Sequence, residues 1–104
     1  MHVQVVTYRV EGVSDPDFIE ANREFAEAMA RVPGLLAKVW LRGPGGDGYG
    51  GLYLWRDREA YEAFLASDLW AEVLNDSSML DVRATDYAVM EDLTRITQPG
   101  LQVL

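Results

Sequence analysis

Residues Leu35–Ser67 contain the clearest structural pattern of the chain, LLAKVWLR GPGGDG YGGLYLW RDREAYEAFLAS. Two segments rich in branched and aromatic residues, Leu35–Arg42 and Tyr49–Arg56, predict the two strands of a hairpin. Asp57 is a favourable N-cap and predicts that a helix follows at once. The glycine-rich turn between the strands lacks the Lys-Ser/Thr of a phosphate loop, and a strand follows it instead of a helix. We therefore interpret this turn as a flexible hairpin tip.

The segment before the hairpin predicts one strand and one helix. His2–Val10 is rich in β-branched and aromatic residues, as strands are. Ser14 or Asp15 then caps a helix that has a proline in its first turn, where the missing N–H does no harm. Apolar residues recur at helical spacing until Pro33-Gly34 ends the helix.

The segment after the hairpin predicts a broken helix, a strand and a tail. The helix that begins at Asp57 is interrupted at Ser67-Asp68 and continues as a second piece. Leu80–Met90 predicts the fourth strand, and Glu91–Leu104 is a tail with a break at its Pro-Gly pair. Apolar residues in this tail suggest that it docks on a partner subunit; they are Leu93, Ile96, Leu101, Val103 and Leu104.

These elements follow one another in the order βαββαβ within a single domain, residues 1–104. That order predicts an α+β fold of the ferredoxin-like kind, in which helices cover one face of an antiparallel sheet. The chain has no second layer for the other face. We therefore expect a homodimer that buries this open face.

The composition excludes several kinds of site and partner. The chain has no cysteine, and its one histidine, His2, is expected at the surface. Disulfides, cysteine zinc sites and two-histidine iron sites are therefore excluded, and no metal site is predicted. The net charge of −8 argues against nucleic acid and anionic membranes as partners. No secretory signal or membrane span is visible, so we expect a cytoplasmic protein.

Alternation divides the hairpin into two faces if Arg42 pairs with Tyr49 across the turn. The face that we expect beneath the helices is small and aliphatic, with Ala37, Val39, Leu41, Gly50, Leu52 and Leu54. The face that we expect to be open is aromatic and cationic, with Leu36, Lys38, Trp40, Arg42, Tyr49, Gly51, Tyr53 and Trp55. In this register Gly51 lies opposite Trp40 and leaves room beside the indole.

The aromatic face has two interpretations. The simpler one is a dimer interface, because Trp, Tyr and Arg are enriched at interfaces. The other is a pocket for a planar, partly anionic organic molecule. Trp40, Tyr53 and Trp55 would stack on its ring, and Lys38 or Arg42 would pair with its oxyanion. If Lys38 is buried, its pKa falls and it can act as a base.

The last strand supplies further candidates of second rank. Tyr87 and Arg83 alternate onto one face of this strand, where Tyr87 could contact a substrate. Asp86 alternates onto the opposite face. A carboxylate there requires a partner or a position at the edge of the sheet.

Three segments resemble the YdhR-like putative monooxygenases of the dimeric α/β-barrel superfamily: PGLLAKVWL (33–41), GGLYLWRDREAYEAFLAS (50–67) and DVRATDYAVMEDL (81–93). Together with the first helix, the likeness covers nearly the whole chain. This resemblance implies a homodimer whose two sheets face each other as a barrel. Such relatives include cofactor-free monooxygenases of aromatic polyketide metabolism and haem-degrading enzymes.

The wider antibiotic-monooxygenase group has a similar signature after the third strand: Trp, then Asp or Ser, then Ala, then a His before a small residue and Ser. Trp55, Asp57 and Ala60 match it, but Phe64 stands at the His position. The resemblance therefore implies that this chain lacks the imidazole that ligates haem iron in such relatives. It also implies that Trp55 lines a cleft between sheet and helices, whereas alternation places Trp55 on the open face.

Three functions of different classes follow. The first is a monooxygenase without metal, flavin or other cofactor, which acts on a small aromatic or polyketide-like substrate that can itself donate an electron to O₂. The second is a non-redox cyclase or isomerase that uses the same base. The third is a ligand-binding or structural dimer without turnover. We rank the monooxygenase first. Its predicted catalytic residues are Lys38 and Arg42, and its predicted substrate-binding residues are Trp40, Tyr53, Trp55 and Tyr87.

Overall fold

A four-stranded antiparallel sheet forms the centre of the computed structural model, which describes residues 1–98 and 100. The strands and helices alternate as β1 (His2–Arg9), α1 (Asp15–Met29), β2 (Leu35–Arg42), β3 (Gly48–Trp55), α2 (Arg58–Leu65), α3 (Asp68–Asn75), β4 (Leu80–Ala88) and α4 (Glu91–Thr97). The strands lie side by side in the order β2-β3-β1-β4. This arrangement is the predicted ferredoxin-like α+β fold.

Side chains cap the three longer helices where the sequence predicts helix starts. The Ser14 side chain accepts a hydrogen bond from a first-turn N–H of α1. Asp57 accepts one from the Ala60 N–H at 2.8 Å, and Ser67 accepts one from the Trp70 N–H at 3.3 Å. Each cap pairs an N–H that the helix itself leaves free. The Ser67 cap confirms that α2 and α3 are separate helices.

The predicted tail begins with a short helix, α4. Leu93 and Ile96 are exposed on it, at 62% and 74% of their surface. The other three apolar residues that we expect to dock on a partner lie outside the described residues: Leu101, Val103 and Leu104.

The predicted register of the hairpin is confirmed from Ala37 to Arg42, but an irregularity at Leu36 makes Leu35, and not Leu36, the partner of Trp55. Arg42 pairs with Tyr49, and Trp40 lies opposite Gly51. β1 lies between the hairpin and β4. Its Gln4 pairs with Tyr53 of β3 on one side and with Asp86 of β4 on the other. The aromatic residues of the hairpin, such as Tyr53, therefore lie on the same face of the sheet as the even-numbered residues of β1.

The predicted roles of the two faces are wrong, because the helices cover the aromatic face. Trp55 and Tyr53 are 0% and 3% exposed, whereas Val39 and Leu41 on the aliphatic face are 49% and 38% exposed. Large rings fill the space between sheet and helices, and α2 contributes the ring of Phe64 to the same layer. Aromatic side chains bury the most apolar area per residue, so they belong to the covered face.

The open face consists of the aliphatic hairpin residues together with alternate residues of β4. Tyr87 of β4 lies there and is 58% exposed. No helix of the described residues is long and apolar enough to cross a membrane.

Candidate active site

Lys38 lies on the covered face, with its amine among aromatic rings. Its Nζ is 3.7 Å from the centre of the Trp40 ring, 4.6 Å from that of Tyr53 and 4.8 Å from that of Phe25. Gly51 makes room for this arrangement. A Cβ at Gly51 would lie only 3.0 Å from Lys38 Cε and 3.3 Å from Tyr53 Cε1. The predicted space beside the indole is therefore occupied by the stem of the lysine.

Burial lowers the pKa of Lys38 from 10.5 to about 8. Desolvation is the sole cause of this shift, and none of the ion pairs among the described residues includes Lys38. The ring faces act in the opposite direction, because they attract the ammonium form. A substantial fraction of the amine is thus unprotonated just above neutral pH.

A cavity of about 200 Å³ adjoins the amine, between the covered face of the sheet and helices α1 and α3. Sheet residues that line it are Val6, Tyr8, Lys38, Trp40, Gly51 and Tyr53. Helix and loop residues that line it are Ala21, Asn22, Phe25, Glu72, Val73, Asp76 and Met79. The walls thus combine aromatic and aliphatic side chains with polar groups in similar measure.

The sequence analysis missed the carboxylates of this cavity. Glu72 and Asp76 are four residues apart on or just after α3, so they share the helix face on which Val73 is buried. That i, i+4 spacing beside a buried valine is the signal that could have identified them. The pKa of Tyr8 is raised to about 12, mainly by burial and further by the Asp76 carboxylate.

Asn22 of α1 was also missed as a residue of the site. Its amide Nδ2 donates a hydrogen bond to the Phe18 carbonyl at 2.9 Å, and its side chain lines the cavity. A backbone bond four residues back is the usual arrangement for a polar side chain inside a helix.

Tyr53 separates Trp55 from the cavity. The two rings are nearly parallel with centres 6.3 Å apart, and Trp55 also packs on Phe64 at 5.0 Å. Trp55 therefore lies on the covered side, where the resemblance places it, but in the core behind the cavity. Its indole Nε1 is buried without a hydrogen-bond partner among the described residues. Burial, and secondarily the charge of Tyr8, raises the pKa of Tyr53.

Arg42 lies away from the cavity and holds the hairpin tip. Its guanidinium pairs with Asp15 at 3.0 Å and donates hydrogen bonds to the carbonyls of Gly45, Gly46 and Gly48, each at 3.0 Å. It also stacks on the Tyr49 ring at 4.6 Å. The structure thus brings together Lys38, Trp40 and Tyr53, and places Arg42, Trp55 and Tyr87 elsewhere.

His2 is buried, so its predicted surface position is wrong. The side chain is on the covered face and the residue is 4% exposed. Its Nε2 lies 2.7 Å from Asp86 Oδ2, and its ring packs on Tyr61 with centres 4.7 Å apart. The His2 hydrogen bond is the main reason why the pKa of Asp86 is lowered. We expected that Asp86 needs a partner or a position at the edge of the sheet. It has both, because His2 is its partner and β4 is an edge strand.

The described residues contain no group of three or more His, Cys, Asp or Glu side chains that could hold a metal ion. The polar side-chain groups around the cavity are one amine, one amide, two carboxylates, two phenols and one indole N–H. Such a set suits proton transfer to or from a bound organic molecule.

The family described as "Putative mono-oxygenase ydhR" matches residues 3–99 of the sequence. Among curated proteins, none matches. Several solved structures share the fold at low sequence identity. The N63A mutant of SnoaB, a cofactor-independent oxygenase from Streptomyces nogalater, is 18% identical with a TM-score of 0.70, over 86% of this chain and 93% of that one.

Two further structures extend this comparison. A putative antibiotic biosynthesis monooxygenase from Deinococcus radiodurans is 16% identical with a TM-score of 0.71, over 88% of this chain and 94% of that one. The haem degrader MhuD from Mycobacterium tuberculosis, with two haems in its active site, is 18% identical with a TM-score of 0.67, over 86% and 96%. At such identities these structures establish the fold alone.

Proposed function

Because the chain belongs to the ydhR mono-oxygenase family, we propose that it is a cofactor-independent monooxygenase of a small aromatic substrate. The substrate would bind in the cavity between the sheet and helices α1 and α3. The observation that carries this proposal is the desolvated amine of Lys38, which faces that cavity without an ionic partner among the described residues.

Lys38 would act as the base that prepares the substrate for O₂. A phenol or anthrone must lose a proton before it can give an electron to O₂. Neutral Lys38 can take that proton, and the ammonium that results then stabilises the adjacent anion. The substrate supplies all four electrons that reduce O₂: a CH₂ group and O₂ become a carbonyl group and water. No flavin or metal is needed to balance this reaction.

The rings and the size of the cavity would select the substrate. Trp40 and Tyr53 offer ring faces on which a planar molecule can stack. The volume of about 200 Å³ is below the ~300–1,000 Å³ typical of drug-sized ligands. Of the two substrate classes considered, a small aromatic compound is therefore favoured over a large fused polyketide.

Haem, which MhuD holds in its active site, does not fit the residues of this chain. The only histidine, His2, is buried and bonded to Asp86, and Phe64 is packed in the core at the position where the haem-binding signature has its histidine. The chain has no cysteine to serve instead. We therefore assign no step to haem.

A non-redox isomerase is the second candidate, and one observation favours it. An amine and two carboxylates, Glu72 and Asp76, line the same cavity, so a proton could leave one atom of a substrate and return to another. A ligand-binding dimer without turnover would use the same cavity without chemistry.

The proposal includes a homodimer formed through the open face of the sheet. Val39, Leu41 and Tyr87 expose much of their surface there. Exposed apolar patches of this kind mark interaction sites. In this assembly α4 would dock on the partner subunit through Leu93 and Ile96. A cytoplasmic location is likewise part of the proposal.

O₂ uptake by metal-free and flavin-free protein tests the function. Phenolic and anthrone-like compounds should be oxidised with one O₂ consumed per carbonyl formed. Turnover of the same compounds without O₂ would replace the monooxygenase with the isomerase. Binding without any turnover, seen as quenching of tryptophan fluorescence, would leave only the ligand-binding dimer.

A further inference from the structure

The amine of Lys38 has the surroundings of a nucleophile as well as those of a base. It is the only lysine of the chain, and it lines a cavity. The rings of Trp40, Tyr53 and Phe25 surround its Nζ at 3.7–4.8 Å. Among the described residues no carboxylate forms an ion pair with this amine. No counter-ion therefore stabilises the protonated form, in which the nitrogen has no free lone pair.

We propose that Lys38 forms an imine with the carbonyl group of a small aromatic aldehyde or ketone bound in this cavity. Nζ attacks the carbonyl carbon, and the C=O π electrons move to oxygen. A proton then passes from nitrogen to oxygen to give a carbinolamine. Loss of one water leaves the C=N bond. The reaction needs no oxidant, reductant or cofactor.

The aromatic rings favour this product as they favour the ammonium form. A protonated imine carries the same positive charge as the ammonium, so it keeps the attraction of the Trp40 and Tyr53 ring faces. An aryl group conjugated to the imine can in addition stack on Trp40, which is the nearest ring. Imine formation therefore adds a stacking contact without losing the cation–π contacts.

Two carboxylates line the cavity and are the groups to which we assign the proton transfers: Glu72 of α3 and Asp76, the residue that follows this helix. In this role they take the proton from nitrogen and return it to the leaving oxygen. The lowered pKa of Lys38, about 8 against 10.5, increases the neutral fraction at neutral pH by roughly three-hundredfold.

Imine formation at Lys38 is a reaction separate from oxygenation. It uses the same cavity, but it does not depend on O₂. A protein that consumes no O₂ could still form the imine, and an oxygenase that uses Lys38 only as a base would not. The test is therefore done without O₂.

The probe is 2-naphthaldehyde with cyanoborohydride, which reduces an imine to a stable amine. The chain has two amines, Lys38 Nζ and the α-amino group, which pairs with Glu91 at 3.2 Å. Mass spectrometry of peptides separates them. We expect one naphthylmethyl group on Lys38, added at least about tenfold faster at pH 7.5 than on N-acetyl-lysine amide, because of the larger neutral fraction.

Matched variants complete the test. Lys38→Arg keeps a cation among the rings but cannot form an imine, so labelling at residue 38 should disappear while the α-amino group reacts as before. Glu72→Gln combined with Asp76→Asn should slow labelling of Lys38 at an unchanged melting temperature. Labelling confined to the α-amino group, or labelling of Lys38 no faster than of the free amide or of urea-unfolded protein, would overturn the proposal.

Discussion

Lys38 Nζ lies 3.7 Å from the centre of the Trp40 ring, although the two residues belong to one strand. They are two positions apart on β2, so both side chains point toward the helices. Gly51 on the neighbouring strand leaves the space that the lysine stem crosses. One half-buried amine thus faces the cavity as a consequence of strand alternation and a single glycine.

Lys38 should make the protein less stable at neutral pH than at high pH. The pKa of the folded state is about 8, below the 10.5 of an unfolded chain. Between these values the unfolded state binds more protons, so the free energy of unfolding should rise with pH from about 8 to about 10.5. Below pH 8 both states are charged, and the full penalty of burial is present.

Lys38→Met separates this effect from the titration of tyrosines. Both proteins have the same tyrosines, so the difference between their free energies of unfolding reports on Lys38. We expect the variant to be the more stable protein at pH 7 and its advantage to shrink as the pH approaches 10.5. Urea unfolding at a series of pH values measures this difference. A difference that does not change with pH would mean that the folded amine titrates normally.

Gly51→Ala should disturb the site more than the fold. The new Cβ would lie 3.0 Å from Lys38 Cε, and the end of a flexible side chain can move away at small cost. We expect about a tenfold or greater loss of kcat/KM, because small displacements of a catalytic group are costly. Gly46→Ala is the control, since no atom lies within 4 Å of its added Cβ. Equal activity of the two variants would argue against a precise position for Lys38.

Arg42 should matter for stability and not for catalysis. Arg42→Gln removes the ion pair with Asp15 and hydrogen bonds to three carbonyls of the hairpin tip. These contacts are partly exposed, so we expect a loss of about 1 kcal/mol in the free energy of unfolding. The value of kcat should change by less than about twofold. A large fall in kcat with unchanged stability would instead support Arg42 as the group that holds the oxyanion.

The dimer should depend on the open face of the sheet. Val39→Glu places a charge on that face, where residue 39 is 49% exposed, and should shift sedimentation toward the monomer. Leu74→Glu is the matched control, because Leu74 is 62% exposed on the helix side. If both variants sediment as the unchanged protein does, the interface lies elsewhere.

Local signals in the sequence were sufficient for the order of elements up to β4, for the caps of α1 and α2, and for the hairpin register from Ala37 to Arg42. Each of these depends on residues a few positions apart, such as Asp57 and the Ala60 N–H. Such local signals could not predict which face of the sheet the helices cover. Alternation sorts Trp40 and Val39 onto opposite faces, but only the packing of distant helices determines which face is covered.

The site was partly predictable for the same reason. Lys38, Trp40 and Tyr53 share one strand pair, so their proximity followed from the register. Burial of His2 depends on Asp86, 84 residues later in the chain. Likewise Glu72 lines the cavity only because α3 packs on the sheet. The periodicity of the hairpin residues does not predict this packing.

O₂ uptake by Lys38→Met beside the unchanged protein is the most direct test of the proposed function. With a phenolic or anthrone-like compound that quenches the tryptophan fluorescence of both proteins, uptake by the unchanged protein should rise with pH through about 8, as the amine loses its proton. Uptake by the variant should fall by about a hundredfold or more and lose this pH dependence. Equal uptake by both proteins, with the same pH profile, would contradict the role of Lys38.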